Sequence, residues 1–250
     1  MSEGSLSGKV AIITGAARNI GRATALRLAD DGAAVVVNAV KDSEAADAVA
    51  HEISESGGRA MAHIADVTDP DAVARMIQMA ETAFGGVDIL VSNASVRGQV
   101  PTLEMSLEEW HRVLAVPLDG AFLLAKACIP LMTRRGGGRI IALGGVAPYV
   151  GTASRIHLLA AKAGLVGLIR GLATEFAPRG ITCNVVSPGV IDTQRPMSAG
   201  PLPPMSTRPP IDRKGDPDEV AAMIHYLCLP EAAYVTGQTL HVNGGLYFGT

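Results

Sequence analysis

Cysteine is scarce in this chain, with three residues in 250, at Cys128, Cys183 and Cys228. An odd number of widely spaced cysteines without CxxC or Cys/His spacing excludes a disulfide framework and a zinc site. Reduced core thiols and no metal are the expectation. Positive charge is also sparse. The chain carries 21 Lys and Arg against 24 Asp and Glu, a formal charge of -3, with no dense basic run. That leaves no electrostatic footprint for nucleic acid or an anionic membrane and points to a small-molecule partner. Apolar runs are broken too, and none reaches the roughly 18 uninterrupted residues of a membrane span. The opening MSEGSLSGKVAIITG lacks the basic and long apolar regions of a secretory signal, so a soluble, cytoplasmic protein is expected. Internal repeats and low-complexity segments are absent as well.

What is present is apolar content, 48% of residues against 18% charged, enough for one sizeable core in a single domain. Residues 1–7 read as a short tail and 8–250 as that domain. Seven short β-branched runs, KVAIITG, AAVVVNA, RAMAHIAD, VDILVSNA, GRIIALGG, ITCNVVSPG and GQTLHVNGG, alternate with amphipathic stretches such as GRATALRLADDG and DPDAVARMIQMAETAFGG. The alternation predicts an α/β fold of Rossmann type: a doubly wound parallel sheet of about seven strands, helices on both faces, ligands beyond the carboxyl ends of the strands. One compositional break, the Pro-rich stretch at about 197–216, predicts a lid over that end.

TGAARNIGRATALRLADDG, after the first strand, is a glycine-bearing turn entering a helix. Backbone N–H groups from Gly15 through Arg18, Asn19, Ile20 and Gly21 can hold a pyrophosphate there, aided by the helix dipole. Asn19 replaces the middle glycine of a Gly-x-x-x-Gly-x-Gly turn, and Asn tolerates left-handed backbone better than most residues. The second strand ends in Asn38 and Ala39, where an NAD site needs a carboxylate for the ribose 2'-hydroxyl. Arg18, with Lys41 nearby, can instead pair with a 2'-phosphate, so NADP(H) is expected over NAD(H).

These segments, together with ADVTD, VSNAS, AAKAGLVGLIRGLATEFAPRGITCNVVSPGVIDT, GDPDEVA and YVTGQTLHVNGG, resemble the short-chain dehydrogenase/reductase family. The likeness spans residues 8–250 and is greatest to bacterial members similar to 3-oxoacyl-ACP reductases. It implies that Asp66 and Val67 flank the adenine and that Asn93 and Ala94 line the ribose side. It also implies that Lys162 bonds the nicotinamide ribose while Pro188, Gly189, Ile191 and Thr193 meet the carboxamide. A homotetramer is implied too, built partly from the helices that contain Pro117 and Lys162 and from TLHVNGGLYFGT. AFLLAKACIPLM and AGLVGLIRGLA are more apolar than one sheet face needs, in keeping with that assembly.

At three of the four catalytic positions the chain departs from the resemblance. The family's serine, tyrosine and asparagine correspond to Gly145, Leu158 and Pro117. Leu158, four residues before Lys162 on a helix, puts an apolar side chain where a proton donor is needed. Pro117 removes an N–H and obstructs the carbonyl of Val113, predicting a kink in a helix from about Leu107 to Met132. His157 adjoins Leu158 but is rotated from it by about 100°, and it is the candidate replacement acid beside Lys162. Tyr149 and Ser154 are further candidates, while Arg97, Arg155 and Arg195 near the mouth suit an anionic substrate. Two readings stand. One is an NADP(H)-binding member that has left carbonyl reduction for non-redox chemistry or a binding role. The other is an NADPH-dependent oxidoreductase of ketones or alcohols whose acid is His157 or a water.

Overall fold

The computed structural model describes residues 4–194 and 208–249. Its strands are β1 (Val10–Ile13), β2 (Ala34–Ala39), β3 (Arg59–Ile64), β4 (Ile89–Ser92), β5 (Gly138–Leu143), β6 (Ile181–Pro188) and β7 (Thr239–Val242). They form one seven-stranded sheet in the order β3-β2-β1-β4-β5-β6-β7, every neighbouring pair parallel. The long helices are α1 (Asn19–Asp30), α2 (Ser43–Glu55), α3 (Pro70–Phe84), α4 (Leu107–Leu114), α5 (Gly120–Arg134), α7 (Ile156–Phe176) and α8 (Pro217–Cys228), with one short turn, α6 (Ala147–Val150).

Strands such as VAII and AVVVNA are buried at every residue because helices cover both faces of the sheet, and this explains their continuous rather than alternating apolar character. On one face Met76 and Ala80 of α3, Leu124 and Cys128 of α5 and Leu165 and Ile169 of α7 form a core with Ile12 and Leu90. On the other, Leu28 of α1, Val49 of α2 and Val220 and Ile224 of α8 pack on Ile13, Val37 and Ile141. Two helical stretches, Leu107–Arg134 and Ile156–Arg179, are long and apolar enough to cross a membrane by length and composition, and each lays residues into the sheet core. All three cysteines are buried and unbridged, and burial pushes their thiols up to about 12.

Chain order reverses between β1 and β4, which opens a crevice at their carboxyl ends, the place where ligands enter such sheets. Local sequence delivers the helices to it. Asp69 caps α3 by accepting from the backbone of Asp71 and Ala72, with Pro70 in the first turn, and Asp216 and Glu219 form a capping box on α8. Both match the residue preferences of helix starts.

Two expectations change. Residues 5 and 6 do not form a tail: Leu6 is 1% exposed and its N–H bonds Asp31 O, because an apolar side chain at the sheet's end joins the core. The helix bearing Pro117 is not simply kinked. Leu107–Leu114 runs through a π turn at Ala115–Asp119 into Gly120–Arg134. A π turn widens the helix by one residue, which accommodates a proline that lacks an N–H and crowds the preceding turn. The lid stretch 197–207 lies outside the described residues. Its following part is tied down, with Ile211 N–H on Gly244 O and Asp192 N–H on Gly215 O.

Candidate active site

At the end of β1 the backbone turns sharply. Gly15 has φ 62° and Asn19 φ 53°, the left-handed region that Asn enters at little cost. Gly21 lies so close to this turn that a Cβ there would sit 2.3 Å from Gly15 O and 2.8 Å from Asn93 Nδ2. Asn93 holds the turn in place: its Nδ2 donates to Thr14 O at 2.8 Å and Gly15 O at 3.1 Å. The N–H groups of Asn93 and Ala94 donate to Thr14 Oγ1. Side chains cap α2, α3, α4 and α8, whereas α1, entered through Arg18, has no side-chain cap and no acidic residue in its first turn, as is also true of α5 and α7. The amino end of α1 thus presents N–H groups and positive dipole to an anion, in a glycine cradle a Cβ would fill. These residues fit the pyrophosphate of a dinucleotide.

Around this cradle, Arg18 and Lys41 are exposed. Asn38 points inward instead: it is buried, and its Nδ2 contacts the carbonyls of Ala39, His63 and Ala65, tying β2 to β3. Asp66 accepts from the N–H and hydroxyl of Thr68, and Val67 is buried against the space at Gly120.

A cavity of about 610 Å³ opens from the turn toward β5 and α7. It brings together Ile20, Asn93, Lys162, Pro188, Gly189, Ile191 and Thr193 with Gly145, Ser154 and Leu158. Gly15, Arg18, Asn19, Gly21, Asn38, Asp66, Val67 and Ala94 are not among its lining. A cavity of about 730 Å³ at the opposite sheet end, walled by Lys9, Asp88 and Arg135 among others, touches none of these residues.

Lys162 is buried, and its Nζ donates to Leu143 O. Burial first, and then the charge of Arg97, lower its pKa to about 8, so it is a cation at neutral pH with little margin above it. Leu158 lines the cavity one turn before it. At Gly145 a Cβ would meet nothing within 4 Å, leaving open space where a hydroxyl is expected. His157 turns away. It is 0% exposed, does not line the cavity, and its Nε2 lies 3.6 Å from Glu109 Oε1, beyond a direct hydrogen bond. Tyr149 stacks on Tyr247 and meets His241 edge-on. Arg97 and Arg155 both line the cavity, and Arg195 lies outside the described residues.

Gln194, Leu246 and Lys214 are among the contributors that the residue patterns do not point to. Asn19 pairs with the backbone of Gln194, Nδ2 on its oxygen at 3.0 Å and Oδ1 on its N–H at 2.9 Å. Leu246 and Lys214 reach the cavity from segments that follow β6, and Lys214 pairs with Asp192 at 2.7 Å. Of these contacts, only the Asn19 bond has a signal in the sequence, an Asn in place of glycine.

A family model described as Enoyl-(Acyl carrier protein) reductase matches residues 15–247. A 3-oxoacyl-[acyl-carrier-protein] reductase from Synechocystis sp. is 43% identical over 96% of this chain and 98% of its own length. Reductases of the same name from Vibrio cholerae and Escherichia coli are each 40% identical, over 97% and 96% of this chain and 98% of their own lengths. Among solved structures, a 7 alpha-hydroxysteroid dehydrogenase complexed with NADH and 7-oxo glycochenodeoxycholic acid aligns with TM-score 0.90 and 33% identity, covering 96% of this chain and 94% of that one.

Proposed function

The chain belongs to the short-chain dehydrogenase/reductase family of oxidoreductases, and we propose that it is an NADP(H)-binding member that has left ordinary carbonyl reduction for non-redox chemistry or a cofactor-dependent binding role. One observation carries this reading: the cavity wall beside Lys162 offers Leu158 and Gly145, neither of which has a proton to give. When bound, the nicotinamide supplies or accepts a hydride. The chain must then supply a proton and oxyanion donors at the reacting oxygen. The described hydroxyls of the wall, Ser95, Thr152, Ser154 and Thr193, are aliphatic alcohols, far weaker acids than a phenol of pKa about 10. Lys162 can orient a ribose and hold positive charge, while the turn at Gly15 and Gly21 receives the pyrophosphate.

Preference for the phosphorylated cofactor follows from Arg18 and Ala39: a guanidinium is available to a 2'-phosphate, and no carboxylate prefers the free hydroxyl. A charged hydrogen bond of about 1.5–3 kcal/mol makes NADPH bind roughly 10- to 100-fold tighter than NADH, and Arg18→Ala removes most of that margin. Fluorescence titration of both cofactors checks it, and equal affinities for the unmodified protein would refute it. Cytoplasmic location and a homotetramer belong to the same reading. Exposed Phe122 and Ile156 on α5 and α7 and exposed Phe248 near the end of the chain support the assembly, and light scattering that gives a monomer at micromolar concentration would dismiss it.

The activity named for the relatives favours a second reading, an NADPH-dependent oxidoreductase of ketones or alcohols with a replacement acid. Since His157 packs toward Glu109, a water is the better donor on that reading. NADPH absorbance followed with a panel of ketones and aldehydes, beside NADPH binding, separates the two. Binding without turnover supports the first reading. Turnover supports the second, and its loss in His157→Ala with binding intact would name the histidine as the acid.

A further inference from the structure

The cavity of about 730 Å³ at the amino ends of the strands has the volume of a small-molecule site and stands apart from the cofactor crevice. Its described wall includes Lys9, Asp88, Arg135 and Arg139, which come from the starts of β1, β4 and β5 and the turn before β5. Arg135 is structural: its Nε donates to Asp88 Oδ1 at 2.9 Å, and its terminal nitrogens reach the carbonyls of Gly85 and Gly8. Asp88 is equally committed. It is buried, and its second oxygen accepts from Val10 N–H at 2.9 Å. The carboxyl ends of α5 and α7, at Arg135 and Ala177, border the same cavity, and their partial negative charge accounts for a cation that bonds carbonyls as Arg135 does.

It does not account for Arg139. Among the described residues this half-buried side chain makes one hydrogen bond, from Nη1 to the carbonyl of the adjoining Gly138 at 3.1 Å, and its buried Nε has no partner. A guanidinium carries five donors and keeps its charge, so one left this incompletely matched by protein calls for a further acceptor. Its charge is felt at the Cys228 thiol, another residue of the wall. Lys9 also has donors to spare: its half-exposed ammonium meets Asp88 Oδ1 only at 3.5 Å. The two cations flank Asp88, since Lys9 precedes β1, Arg139 lies in β5 and β4 runs between them; Asp88 O accepts the Arg139 N–H at 2.8 Å. A planar carboxylate is matched by one guanidinium alone, whereas a tetrahedral dianion has oxygens for a guanidinium and an ammonium together. We propose that this cavity receives a dianionic phosphate group, held by the terminal nitrogens of Arg139 and by Lys9 Nζ. Pro230, Ala233 and the fully exposed ring of Tyr234 lie on the same wall and give the organic part of a phosphate ester a surface to rest on.

The test titrates phenyl phosphate, inorganic phosphate and benzoate calorimetrically into the full-length protein at constant ionic strength, alone and with excess NAD+, which fills the crevice and has no phosphate monoester of its own. Phenyl phosphate binds about 10-fold or more tighter than benzoate, with or without NAD+. Arg139→Gln weakens it about 10- to 100-fold, as loss of a charged hydrogen bond requires, and Arg139→Lys keeps part of the affinity. Lys9→Gln, at a more exposed position, weakens it about 2- to 5-fold. Thermal melting identifies any variant that has failed to fold, and the remaining variants then decide. Inorganic phosphate that binds as tightly as the ester makes the free anion the ligand, and a tighter ester makes it a phosphorylated small molecule; both support the site. Benzoate that binds as tightly as phenyl phosphate overturns the proposal, and so does a phosphate affinity unchanged in the Arg139 and Lys9 variants. Displacement of phenyl phosphate by NAD+ overturns it too, since the anion would then occupy the pyrophosphate turn.

Discussion

Leu158→Tyr combined with Gly145→Ser is expected to create NADPH-dependent ketone reduction about 10²- to 10⁴-fold above the unmodified protein, the usual worth of a positioned acid. Either change alone should do far less, because the two hydroxyls act jointly on one oxyanion. The structure accommodates both. Position 145 has nothing within 4 Å of a new Cβ, and position 158 already faces the cavity one helical turn from Lys162. The Lys162 ammonium favours the ionised form of the introduced phenol and so makes it a better acid. Burial and Arg97 lower the Lys162 pKa to about 8. The ammonium is therefore present below that pH and lost as pH rises through it, and the new activity falls above about pH 8. Rates on a broad carbonyl panel between pH 6 and 9 check both statements. A double variant that folds, binds NADPH and stays inactive would argue that the cavity has been rebuilt for other chemistry.

Gly21→Ala should weaken cofactor binding severely. The added Cβ would lie 2.3 Å from Gly15 O, 2.8 Å from Asn93 Nδ2 and 2.9 Å from Ala16 Cα, so backbone has to move. Displacing the turn removes two or more charge-assisted N–H contacts to the pyrophosphate, roughly 10²- to 10⁴-fold in affinity. Crowding of this kind also destabilises the fold by about 1–3 kcal/mol. Gly145→Ala, with open space at its Cβ, is the matched control and leaves NADPH affinity unchanged. Calorimetric titration of both variants with NADPH settles the comparison. Undiminished affinity in Gly21→Ala would remove the turn from the cofactor site.

The sheet was legible in the sequence because its cause is local and repeated. Seven β-branched runs separated by amphipathic helices leave few arrangements other than a parallel sheet covered on both faces, and the strands appear where those runs lie. The relation of Leu158 to Lys162 was legible for the same reason, since helical spacing alone puts the two on one face. The left-handed Asn19 was expected from the residue it replaces, but its bond to Gln194, 175 residues on, was not.

Other residues could be placed only by packing. Asn38, expected near the ribose, gives its amide to carbonyls of β2 and β3 and the turn beyond, because a buried amide must be paired and the neighbouring strand offers acceptors. Arg155 reads as a loop cation and is a buried part of the cavity wall, whereas His157, two residues on, is buried toward Glu109. A proline that predicts a kink is absorbed by a π turn. From its sequence alone this protein specifies the fold, the glycine turn and the place of Leu158 one helical turn before Lys162, for these follow from residue type and short-range periodicity. Which polar side chains face ligand and which face protein was decided by the tertiary structure, because a side chain's partner there is set by segments far away in the chain, and local backbone geometry carries no record of them.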